Sequence, residues 1–191
     1  MKVYGSSPNG IALNLGISRD QAEQLISLYF DAFPLIKVYV DCTHAMAKGN
    51  QYVVTPFGQR KMEYGAHKIF EGTAVYNGCL RNSQNVRVQS TSSTFGMQCF
   101  AALNRELKPL GGKCTCTVFD SLEMEVPLEV AAKVLELSFY YLNDRPVEVF
   151  DWLDLPVGVD AEIGLNWGDA VHISRGTTQQ QIEEMYKEWT K

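Results

Sequence analysis

The chain reads as an α+β protein, on three observations. Several stretches carry apolar residues at helical spacing between recognisable caps. Two shorter stretches carry the turn residues and flanking extended segments of hairpins. The two kinds of element follow one another without regular βαβ alternation, which argues helices with antiparallel strands rather than a doubly wound parallel sheet.

Gly5 to Gly16 reads as a loop, because Ser6-Ser7-Pro8-Asn9-Gly10 is turn chemistry. Ser18 is a good N-cap for a helix reaching about Phe33. Asp20 and Glu23 suit its positive end. Ala22, Leu25, Ile26 and Tyr29 form its apolar stripe, and Pro34 breaks it. A second helix is expected from Leu35 to Lys48, stopped by Gly49-Asn50. Tyr52-Val53-Val54-Thr55 and Gln59-Arg60-Lys61-Met62 flank Pro56-Phe57-Gly58, a hairpin pattern. Helical pattern returns at Thr73 and runs, with room for a break, to Leu107.

Gly111-Gly112 leads into a second hairpin. Thr117, Val118 and Phe119 favour extended backbone. Leu122, Met124 and Val126 then alternate with Glu123 and Glu125. Asp120 and Ser121 are turn residues, which puts one carboxylate at the tip. Pro127 suits the first position of a helix from Leu128 to Leu142. Val157 to Leu165 reads as a last strand, and a short polar-faced helix follows Thr178.

The 191 residues suffice for one sizeable domain or part of a larger protein, and the composition is that of a globular chain, which excludes disorder. No apolar run reaches the length of a membrane span, and Met1 to Gly10 lacks a signal-peptide core, so a cytoplasmic, membrane-free setting is expected. Five cysteines form no disulfide framework. Cys114 and Cys116 are expected to share one strand face for packing, since no second Cys or His pair stands at zinc-ligand spacing. Charge is uneven. Residues 37–113 carry ten Lys/Arg and four Asp/Glu, whereas residues 120–162 carry two and eleven. A basic stretch suits a polyanion, and an acidic one suits cations.

Four segments in order, and a fifth near the C-terminus, resemble the C-terminal part of family A DNA polymerases, the bacterial DNA polymerase I and phage replicative type. Tyr4-Gly5-Ser6-Ser7 is similar to the end of the fingers helix. Ser18 through Met62, with Tyr29-Phe30-Asp31-Ala32-Phe33-Pro34 and Thr55-Pro56-Phe57-Gly58-Gln59-Arg60, resembles the two helices and Gly-Arg hairpin that follow. Arg81, Asn85 and Val88-Gln89-Ser90-Thr91 resemble the palm helices that touch primer and template. Val118-Phe119-Asp120-Ser121 stands where the family has its His-Asp-Glu turn. Gly164-Leu165-Asn166-Trp167 resembles the family's terminal Gly-x-x-Trp.

The resemblance implies partial fingers helices over residues 1–50 and a palm subdomain, with an antiparallel sheet packed on helices, over 51–191. It implies Asp120 as catalytic residue and Mg²⁺ ligand, one of two aspartates holding two ions. It implies Arg81, Asn85, Gln89, Phe119, Arg87 and Arg60 as DNA contacts, with Tyr4 and Gly5 near nucleotide and template. Primer–template DNA and a dNTP would be the partners. The first catalytic Asp, the nucleotide-holding fingers residues and the thumb would lie before Met1, on an N-terminal polymerase chain, as in a split phage polymerase. The chain departs from the pattern at Phe119 (family His), Ser121 (family acid) and Arg87 (family Pro). Those departures leave a rival expectation, a non-catalytic DNA-binding or scaffold subunit descended from a polymerase.

Overall fold

The computed structural model describes residues 6–190, so the expectations for Tyr4 and Gly5 fall outside it. Helices α1 (Pro8–Leu15), α2 (Arg19–Ala32) and α3 (Pro34–Asn50) precede strands β1 (Tyr52–Val54) and β2 (Arg60–Met62). Helix α4 (Ala74–Leu107) leads to β3 (Lys113–Val118) and β4 (Ser121–Glu125). Then come α5 (Ala131–Phe139), α6 (Arg145–Val149), β5 (Ala161–Ile163), β6 (Val171–Ile173) and α7 (Gln179–Trp189). The fold is α+β. Its strands form three separate antiparallel pairs, β1–β2, β3–β4 and β5–β6, rather than one sheet.

The chain divides into two compact units after Ser92, inside α4. The reason lies in the packing of the first unit. Ala47 of α3, Val53 of β1, Ala66, and Tyr76 and Leu80 of α4 form one buried cluster.

In the first unit, Gly5 to Gly16 is not wholly loop. Residues 8–15 are helical, with Ser7 Oγ accepting from the Gly10 N–H and Pro8 at the first helical position. Gly16 closes α1 at φ 65, a left-handed geometry that favours glycine. Ser-Pro is thus a cap and helix start here, not a turn. Helix α2 begins as expected, with Ser18 and Gln21 forming a reciprocal capping box. Helix α3 includes Gly49-Asn50 and stops there, because Gln51 takes the left-handed cap at φ 60 and donates its N–H to the Ala47 carbonyl.

The second unit has its own core. Leu103 and Leu107 of α4 and Val134 of α5 are buried together, against Cys114, Leu122 and Met124 of the β3–β4 hairpin. The alternation in β4 therefore points its apolar residues at the helices. A bulge between Cys114 and Cys116 corrects the expectation that they share a face. Cys114 joins the core, and Cys116 is exposed.

Pro127 precedes the next helical segment as an extended residue instead of starting it. The segment is also longer than expected. A 3₁₀ turn at Leu128–Val130, α5, a π turn at Tyr140–Asp144 and α6 follow one another without a gap. Pro146 has no N–H and would clash in an ordinary α-helix. The wider π turn just before it, with the Arg145 N–H reaching the Tyr140 carbonyl, accommodates that ring.

The expected strand 157–165 is only β5, paired with an unforeseen β6. Gly164 sits where a Cβ would lie 2.8 Å from Ala170 Cα, so the close approach after β5 needs glycine. Helix α7 docks through Gln179, whose Nε2 donates to the Leu128 carbonyl (2.6 Å) and whose Oε1 accepts from the Ala132 N–H (3.2 Å).

Candidate nucleic-acid interface

Helix α4 carries Arg81, Asn85 and Gln89 at four-residue spacing, so they lie along one face. Arg81 and Gln89 are exposed, and Asn85 is half-buried between them. The Asn85 Oδ1 is shut off from solvent and has no hydrogen-bond partner. An acceptor left bare in this way costs roughly 1–3 kcal/mol, so such atoms call for a donor from elsewhere.

Beneath that face, α4 is tied down by polar contacts that sequence reasoning missed. Arg87 donates from Nε to the Val54 carbonyl (2.9 Å) and from Nη1 to Thr43 Oγ1 (2.6 Å), and its guanidinium lies 5.2 Å from the Tyr39 ring centre. The Tyr39 hydroxyl donates to the Gln84 carbonyl (2.9 Å), and burial raises its pKa against the opposing pull of Arg87. Gln84 Nε2 and His44 Nε2 are 2.7 Å apart. Asn82 Nδ2 donates to the buried Glu63 carboxylate at 2.6 Å. Each pair spans 19 to 45 residues. No local pattern announces such contacts. Arg87 thus spends three contacts inside the protein.

Arg60, at the start of β2, is exposed and stacks over the Tyr52 ring at 5.1 Å. It remains on the surface with its guanidinium accessible.

Asp120 belongs to the second unit. Val118 pairs with Ser121, so Phe119 and Asp120 form a two-residue turn. Phe119 adopts φ 54, a left-handed conformation rare for a bulky residue, and its side chain is wholly exposed at 102 %. Such a backbone costs about 1–2 kcal/mol in an L-residue. The turn presents an aromatic ring and a carboxylate, both in solvent. Ser121 Oγ donates to the Val118 carbonyl (3.0 Å) and lies 3.2 Å from Glu123 Oε1. Its hydroxyl serves the hairpin.

The donor set of the turn bears on Mg²⁺, a hard cation that takes carboxylate and water oxygens. Among the described residues, no three His, Cys, Asp or Glu side chains gather as a metal-binding group. Asp120 is an exposed carboxylate that fits Mg²⁺ as one contributed ligand. It is not a complete site by itself.

Among the described residues, no helix is long and apolar enough to cross a membrane.

Comparison with known proteins gives these elements a context. Residues 1–169 match the model of DNA polymerase family A. The thermostable DNA polymerase I of Thermus filiformis is 30% identical over 169 residues, covering 88% of this chain and 19% of that protein. The DNA polymerase I of Chloroflexus aurantiacus is 30% identical over 179 residues, covering 91% of this chain and 18% of that protein. The chain thus spans about a fifth of the length of these relatives. Among solved structures, the polymerase domain of Pol1 from M. smegmatis, in complex with a DNA primer-template and dNTP, superposes with a TM-score of 0.73 at 22% identity. That match covers 82% of this chain and 27% of the other, and it establishes likeness of fold.

Proposed function

Because the chain belongs to DNA polymerase family A, we propose that it forms part of a template-directed DNA polymerase and acts with the remaining polymerase elements, wherever they are encoded. The observation that carries this reading is the β3–β4 turn, which holds Asp120 exposed at its tip in a chain of that family. The proposed partners are primer–template DNA, a dNTP and an N-terminal polymerase chain or segment bringing a second aspartate, the fingers helix and the thumb. Residues 8–50 would serve as part of the fingers, and the β3–β4 hairpin with its helices as palm.

Asp120 would hold Mg²⁺ jointly with that second aspartate. Two bound Mg²⁺ ions supply charge stabilisation to the attacking and leaving oxygens of phosphoryl transfer. The chain's own residues bind and orient. Arg81 and Gln89 present exposed donors, and Asn85 would meet the groove through its amide N–H groups. Minor-groove acceptors occur in every base pair, so contact there registers pair shape without reading sequence. Arg60 is offered to a phosphate, and Phe119 to the primer end. Arg87 supports this face from below and keeps its remaining N–H groups for a phosphate.

The test is Asp120→Asn in a reconstituted polymerase. Asn keeps the shape and removes the charge, so single-turnover extension should fall by at least about a hundredfold while primer–template affinity stays nearly unchanged. Unchanged extension would favour the rival reading, a polymerase-derived DNA-binding or scaffold subunit.

A further inference from the structure

We propose that a cleft between α4 and α6 in the second unit binds a small organic anion, a carboxylate or phosphate monoester carried on an apolar or aromatic body. The cleft is distinct from the residues discussed above. It encloses about 310 Å³, the lower end of the range of small-molecule pockets. Arg105 of α4 and Arg145 of α6 both line it. Cys99, Pro146, Val149 and Phe150 supply apolar wall.

Three features point to an anion. First, no Asp or Glu lines the cleft. The neighbouring acids act on phenols: the Glu106 carboxylate helps burial raise the Tyr141 pKa, and Glu148 accepts from the Tyr140 hydroxyl at 3.4 Å. Second, among the described residues the ion pairs found involve neither Arg105 nor Arg145. The Arg145 guanidinium carbon lies 5.4 Å from the Tyr141 ring centre, a contact with the π face that uses no N–H acceptor. Third, Cys99 contributes no competing charge. It is 3% exposed, and burial pushes its thiol up to about 11, so it stays neutral.

Two guanidiniums without acids attract an anion, and their planar forks match carboxylate and phosphate oxygens. The apolar wall selects what the anion is attached to. Phe150 packs against the rings of Phe95 (centroids 5.8 Å) and Trp152 (5.6 Å, stacked). An inorganic ion would leave that wall wet, whereas an aromatic or aliphatic body would cover it.

Calorimetric titration of the full chain with phenyl phosphate, benzoate and inorganic phosphate tests the proposal, and the first two distinguish a phosphate-borne from a carboxylate-borne ligand. One of the organic anions should bind at a single site, with inorganic phosphate weaker by roughly tenfold or more for want of apolar contact. Arg105→Gln and Arg145→Gln should each weaken it by about tenfold or more, the scale of a charge-assisted hydrogen bond. Lys108→Gln, outside the cleft, should change nothing. Arg105 is exposed, so its variant keeps the fold and decides the matter even where the Arg145 variant does not fold. No binding by either organic anion, equal binding of inorganic phosphate (an adventitious ion only), or affinity indifferent to Arg105→Gln would overturn the proposal. So would displacement of the organic anion by a short primer–template duplex, which would reassign the two arginines to DNA phosphates.

Discussion

At the scale of single residues, neighbours on α4 divide between surface and interior. Gln89 is free to make a neutral hydrogen bond outward, and Arg81 a charge-assisted one. In a reconstituted polymerase, Gln89→Ala should slow extension about two- to tenfold, most from mismatched termini. Arg81→Ala should cost more, because a charged donor bonds roughly twice as strongly. Primer-extension rates on matched and mismatched templates decide it, and wild-type rates for both variants would exclude this helix face as a contact. Arg87 has a different consequence. It bonds the Val54 carbonyl and Thr43 Oγ1 and stacks on Tyr39. Arg87→Ala should therefore lower stability by about 2 kcal/mol in denaturant titration of the DNA-free chain. Arg87→Lys should not restore it, since an ammonium cannot reproduce the fork.

At the scale of elements, the second unit is joined at its surface by an ion network. Arg175, in the segment before α7, pairs with Asp144 of the π turn at 2.7 Å and with Glu136 of α5 at 3.4 Å. The Arg175 hydrogen bonds, helped by Asn143, hold the Asp144 carboxyl below its ordinary value of 3.8. A carboxyl whose pKa is lowered on folding contributes stability that is present above its unfolded pKa and lost as pH falls through the folded one. The docking of α7 should therefore weaken below about pH 4. The carboxylate is part-exposed, so the effect belongs at the low end for surface pairs, under about 1 kcal/mol. Thermal melts of wild type and Asp144→Asn should differ at pH 6 and converge near pH 2. A gap independent of pH would show that Asp144 acts through shape rather than charge.

At the scale of the whole molecule, the described residues hold no group of three metal-ligating side chains, and Asp120 is proposed as only one of two aspartates. The isolated chain should accordingly show no primer extension above a mock preparation. Extension should appear when the missing family elements are supplied. Activity of the purified chain alone would sink the idea that Asp120 needs a second aspartate from outside these residues.

What was legible in the sequence follows the range of the interactions involved. The Ser18 cap, the apolar alternation of Leu122 and Met124, and the helix after Thr178 are local codes, read within a few residues and found in the structure. So was the Asp120 turn, because turn chemistry and β-propensity act on neighbouring backbone. The family resemblance, carried by ordered motifs, proved equally legible. Where two local codes compete, sequence reading failed: Ser7-Pro8 serves equally as a turn or a helix start, and the chain uses it for α1. Tertiary structure alone decided the rest. The bulge that separates Cys114 from Cys116 comes from hairpin pairing, and the π turn before Pro146 from keeping one helical segment on the core. Arg87 drawn under α4 and the paired arginines of the α4–α6 cleft depend on residues 33 to 44 positions apart. Such contacts form only once packing has brought distant segments together, so no window of sequence encodes them.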